Sequence, residues 1–150
     1  AIGGIAALGL LLVAIFLAWQ ATAWTIFEFT LAPILPRSPS PQVFAQAVFS
    51  TSQGQQMILL GMGLGFLFAL LAMMISVVSF PLLLDRDCGL DTAIGTSFRA
   101  VLANPAPMAL WGLIVAALLL AGSALVFVGL MVAVPVLGHA TWHLYRKLIA

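Results

Sequence analysis

Charge is what this sequence has least of. Charged residues make up 6% of its 150 positions, against about 25% in soluble domains. The nine exceptions cluster, leaving 1–27, 38–84, 92–98 and 100–145 without any. With 64% hydrophobic residues, no water-soluble fold hides that much apolar surface. A net charge of +1, from five basic and four acidic side chains, provides no electrostatic footprint for nucleic acid or an acidic partner. Nucleic-acid binding is therefore set aside. The single cysteine, Cys88, excludes an internal disulfide. It falls in a charged connector expected to face the cytosol, where thiols stay reduced, and reads as a bystander, with lipidation as the alternative.

What is present reads as an all-α, polytopic transmembrane helical bundle of about four spans. Uncharged stretches of about 20 residues suffice to cross about 30 Å of hydrocarbon. The first span is expected over about 2–27. Its far end carries Trp19, Gln20, Trp24 and Glu28, an aromatic belt with a wet rim. Ala21-Thr22-Ala23 resembles a signal cleavage site, but the apolar run before it is longer than a signal core and lacks a basic flank. A retained span is favoured. Because the chain opens inside an apolar run, further sequence is expected upstream of Ala1.

Pro33, Pro36, Pro39 and Pro41 then forbid a continuous helix in the outward-facing loop 28–56. Within that loop 42–50 reads as a short interfacial helix, with Phe44, Ala47 and Val48 opposite Gln42 and Gln46. The second span is expected over about 57–80, ending near Pro81. Gly61, Gly65, Ala69, Ala72 and Ser76 line one stripe of small side chains, which lets helix backbones approach closely in lipid. A phosphate loop at Gly61, Gly63 and Gly65 is disfavoured, since no strand flanks it and no lysine follows.

The connector 85–105 carries Asp85, Arg86, Asp87 and Asp91, the last placed to cap a helix. There Ile94, Phe98, Val101 and Leu102 oppose Thr92, Thr96 and Arg99, a second interfacial helix stopped by Asn104 and Pro105. As one helix, the apolar run from Pro107 to Tyr145 would be about 60 Å long. A hairpin broken near Gly122 and Ser123 divides it into spans over about 106–121 and 124–145. Arg86, Arg99, Arg146 and Lys147 then share one side and Arg37 takes the other, as the positive-inside rule prefers. Both ends and the 85–105 connector are accordingly expected in the cytoplasm. Pro135 should kink the last span, while Gly129 and Ala133 offer a second small-residue packing face.

From Ser79 onward three strings stand out. They are Ser79-Phe80-Pro81-Leu82-Leu83-Leu84-Asp85-Arg86-Asp87, then Ala103-Asn104-Pro105-Ala106-Pro107-Met108 with Trp111, and finally the run 135–146 that contains His139, Trp142, His143, Tyr145 and Arg146. On these the chain resembles the bacterial integral-membrane family catalogued as DUF2189, with only a general likeness in its first half. The resemblance implies a multi-pass protein of the bacterial inner membrane, with further helices upstream. It brings no activity.

Chemistry has few places to reside. His139 and His143 share a helix face one turn apart, a spacing that can hold one metal ion, and Asp85 and Asp87 are expected at the same membrane surface. The competing reading makes Trp142, Tyr145, Arg146 and Lys147, with Trp19 and Trp24 in the first span, interfacial anchors. Two histidines on one face of one helix cannot be opposite axial ligands of a single haem. No resident cofactor is expected, although lipid or pigment fits apolar grooves. No serine, histidine and acid arrangement suits nucleophilic catalysis, so no catalytic residue is assigned. Gln20, Ser76 and Ser79 can be satisfied by helix–helix hydrogen bonds. The reading that follows is a non-catalytic accessory or scaffold subunit of a larger membrane complex, respiratory or photosynthetic in kind, with membrane lipid and other subunits as partners. The alternatives are a small-solute or ion transporter and a metal-dependent membrane enzyme or sensor.

Overall fold

The computed structural model describes residues 2–124 and 130–149, and the side chains among them outside 123–133. As expected, the described residues are helical and include no strand. The helices are α1 (Ile2–Thr30), α2 (Pro41–Ser50), α3 (Ser52–Ser76), α4 (Ser79–Asp85), α5 (Leu90–Ala103), α6 (Pro105–Ala124) and α7 (Leu130–Ile149). Three stretches are long and apolar enough to cross a membrane: Ile2–Thr30, Ser52–Asp85 and Pro105–Gly122. The chain forms two compact units, Leu10–Ala72 and Ala1–Gly9 with Met73–Ala150.

In the unit Leu10–Ala72, the hydroxyls that interrupt α1 are returned to its own backbone. Thr22, Thr25 and Thr30 donate to the carbonyls of Ala18, Ala21 and Ile26 at 2.8, 2.8 and 2.6 Å, so none is left unsatisfied in an apolar setting. The helix runs past the expected Phe27 to Thr30, where Leu31 is fully buried and a short 3-10 turn, Ala32–Ile34, follows with Pro33 in its first turn. The prolines stop one helix and start the next. Pro41 occupies the first position of α2, where a missing N–H costs nothing, and the Ser40 hydroxyl accepts from the Val43 N–H at 3.2 Å.

The corner between α2 and α3 is built on Thr51 and Gly54. The Thr51 hydroxyl donates to the carbonyl of Ala47 and accepts from the Gly54 N–H at 2.9 Å. A Cβ on Gly54 would collide with the carbonyl oxygens of Val48 and Ala47. Only glycine lets the two backbones approach this closely.

In the unit that includes Met73–Ala150, α4 packs on α5 and α7, and α6 on α5 and α7. The expected second span does not continue unbroken to Phe80. It is interrupted at Val77 and Val78, between α3 and α4. The cause is Pro81, whose ring clashes with the carbonyl four residues earlier, that of Val77, and which has no N–H to offer it. The break is sealed from α5. The Val78 N–H donates to the Ser97 hydroxyl at 3.2 Å, and the Ser79 hydroxyl shares its proton between the carbonyls of Ile75 and of Ala93, the latter at 3.1 Å. Val78, Ser79, Ala93 and Ser97 are all completely buried.

One further expectation needs correction. Asp91 does not cap α5: Gly89 stands at the cap position, and Asp91 lies in the first turn, where a carboxylate still meets the positive end of the helix dipole. Within the chain α5 packs on α4 through the small Ala93 and Ser97, with Val101 also buried, while Leu102 is 68% exposed. α6 continues through Gly122 and Ser123 to Ala124, and the expected hairpin break near them runs into residues outside the described ones. Gly129 lies outside the described residues, as does the side chain of Ala133. Asn104 and Pro105 do separate α5 from α6, and Pro135 lies inside α7.

The hydroxyl on α5 yields a direct expectation. Ser97→Ala leaves the buried Val78 N–H without a partner and should lower unfolding stability by about 1 kcal/mol. Thermal unfolding in detergent, followed by circular dichroism, checks this, with exposed Thr92→Ala as the silent control.

Candidate functional site

The last turn of α4 and the last turns of α7 bring the charged ends of two apolar helices together. Tyr145 is 1% exposed, and its hydroxyl donates to Asp85 Oδ2 at 2.8 Å across 60 positions of sequence. The Trp142 ring lies on that of Tyr145 at 5.4 Å between centroids. Arg86 Nε stands 3.8 Å from the same Asp85 oxygen, at the outer limit of an ion pair, and both side chains are substantially exposed. Together Asp85, Arg86, Trp142, Tyr145, Arg146 and Ile149 line a cavity of about 350 Å³. Asp87 and Lys147 are exposed and do not line it.

His139 and His143 are exposed on α7, edge to face, with ring centroids 5.3 Å apart. Helical spacing brings the two together as expected. Asp85 is instead engaged by Tyr145 and Arg86. Among the described residues no three histidine, cysteine or acidic side chains gather at one point. Tyr145, expected among the interfacial anchors, is buried within the chain, and its ring and hydroxyl tie α7 to α4.

In the unit Leu10–Ala72 the small-residue stripe is used unevenly. A Cβ on Gly65 would stand 3.2 Å from Trp19 Cη2, so the glycine makes room for that indole, which also meets Phe68 at 5.7 Å. Trp19 is thus a packing residue between α1 and α3. Gly61 has open space where a side chain would be, and Ala69 is exposed. Trp24 is 63% exposed and leans on Phe27, whose ring is 6.3 Å from Phe44 of α2. Ser97 had no distinguishing signal beyond its four-residue spacing from Ala93 and Val101.

The Tyr145 to Asp85 bond can be isolated from the ring packing. Tyr145→Phe keeps the buried ring and loses the hydroxyl, and should lower thermal stability by about 1 kcal/mol, since a half-exposed carboxylate is easily rehydrated. Asp85→Asn, which keeps an acceptor oxygen, should lose less. Differential scanning fluorimetry of the two variants checks the order.

Three helical stretches able to span a bilayer, with charges gathered at their ends, describe a protein that resides in a membrane. The family model for predicted integral membrane proteins, DUF2189, matches residues 1–85. Of the strings that carry the resemblance in sequence, only Ser79 to Asp85 falls within that match, which covers the first half of the chain where only a general likeness was legible. No curated protein and no solved structure matches the chain. The chain belongs to the DUF2189 family of predicted integral membrane proteins.

Proposed function

We propose that this protein is a non-catalytic accessory or scaffold subunit, packed through its apolar helix faces within a larger assembly of the bacterial inner membrane. One observation carries the reading. Within the most apolar windows of Ile2–Thr30 and of Ser52–Asp85, 6% of each is buried inside the chain, and 11% in Pro105–Gly122. Helices that cover so little of one another need lipid or other protein around them. Gly61, open to its surroundings, offers a site where a second helix can approach closely. Gln20 is exposed on α1 and has no hydrogen-bond partner among the described residues, so it presents an amide to a neighbour in the same plane.

In this reading α7 is a fourth span, paired with α6. Arg86, Arg99, Arg146 and Lys147 hold the 85–105 connector and the C-terminal end in the cytoplasm, with Arg37 outside. Respiratory and photosynthetic complexes are the class of assembly that such a subunit suits.

Extraction from native membranes in a mild detergent should yield a particle larger than the single chain. Gly61→Leu should release the chain from it while leaving its own thermal unfolding unchanged. Gly65→Leu, which displaces Trp19, should instead destabilise the chain itself. A wild-type chain that emerges as an isolated monomer overturns the proposal.

A second reading, a metal-dependent enzyme or sensor, draws on the paired rings of His139 and His143. Metal content after purification tests it: a stoichiometric ion lost in both His139→Ala and His143→Ala supports it, and unchanged content rejects it.

A further inference from the structure

The cavity between α4 and α7 combines features that the subunit reading leaves unused. It carries two guanidinium side chains and one carboxylate, Asp85, which already receives the Tyr145 hydroxyl and lies near Arg86. Arg146 has no carboxylate partner among the described residues. The formal charge of the lining is therefore +1, and the free cation belongs to the residue type whose planar fork suits phosphate oxygens. Beside it Trp142 and Ile149, both half-buried, supply an apolar wall. The volume, about 350 Å³, lies within the roughly 300–1,000 Å³ range of small-molecule sites. The position matters as much as the lining. Asp85 closes the apolar stretch Ser52–Asp85, so the cavity lies at the charged end of a stretch able to cross a membrane.

We infer that this cavity binds the phosphate of an anionic phospholipid headgroup, with Arg146 and Arg86 on the phosphate and Trp142 and Ile149 against the glycerol and upper acyl chain. An amphiphile meets both halves of the lining. Inorganic phosphate meets only the cationic half. Asp85 lines the cavity too, but with the Tyr145 hydroxyl donating to it and Arg86 beside it, its carboxylate repels an incoming anion less than a solitary one would. The inference does not depend on the chain being a subunit of anything, since the ligand is the membrane itself.

Native mass spectrometry of the delipidated full chain, titrated with phosphatidylglycerol or with phosphatidylcholine, tests it. One phosphatidylglycerol should be retained in preference to phosphatidylcholine, and Arg146→Gln should weaken it about fivefold, the effect of one arginine near a membrane surface. Arg86→Gln should weaken it by a similar factor. Lys147→Gln removes an adjacent charge outside the cavity and should leave the affinity close to wild type. Arg146 is exposed, so its substitution leaves the fold intact even should Arg86→Gln disturb Asp85. Equal affinity in wild type and Arg146→Gln overturns the site. An equal loss in Lys147→Gln overturns it too, because the effect is then surface charge alone. Displacement of the lipid by millimolar inorganic phosphate overturns the lipid assignment.

Discussion

A backbone amide in hydrocarbon has no water to turn to, and the whole chain is arranged around that constraint. Long helices satisfy it by default. The tests come where a helix must stop. Pro81 breaks the ladder between α3 and α4, and at that break the Val78 amide donates to a serine hydroxyl on α5. The neighbouring Ser79 reaches the Ala93 carbonyl in return. Two serines thus turn a break in one helix into a joint between two, and dictate that α5 shows α4 its smallest side chains. The α2 to α3 corner is closed differently, with a threonine hydroxyl serving both helices and a glycine allowing their backbones to meet.

Charge follows the opposite rule and collects where the apolar helices end. Asp85, Arg86 and Arg146 meet at such a boundary, and Tyr145 is buried with its hydroxyl at the edge of that group. Apolar packing and polar contact are therefore combined in a single side chain. The three charged groups keep enough exposure to remain solvated, which spares the chain the cost of a buried ion pair.

Helix positions were legible in the sequence because hydropathy, proline and charge act locally. The ends of α1, α2, α5 and α6 lie close to where Pro33, Pro41, Asn104 and Pro105 place them. Pairing was not legible, because it depends on which faces meet. Trp19 reads as a belt residue until Gly65 is seen to open a slot for its ring. Tyr145 carries no local sign of its partner, since Asp85, 2.8 Å away in space, is remote in the chain. The break at Val77 and Val78 was partly readable: Pro81 announces it, but the ring acts on the turn before itself, so the helix stops earlier than the proline does. The histidine pair needed only helical spacing, and was correctly paired for that reason. The acidic partners needed tertiary knowledge, and Asp85 had another partner.

The bond between Tyr145 and Asp85 also acts as a vernier for the last helix. Sliding α7 by one turn in either direction would present Thr141 or Ile149 to the carboxylate. Isoleucine has nothing to donate, and the threonine hydroxyl is already given to the Leu137 carbonyl at 2.7 Å. One phenol thereby fixes the lengthwise register in which α7 rests against α4.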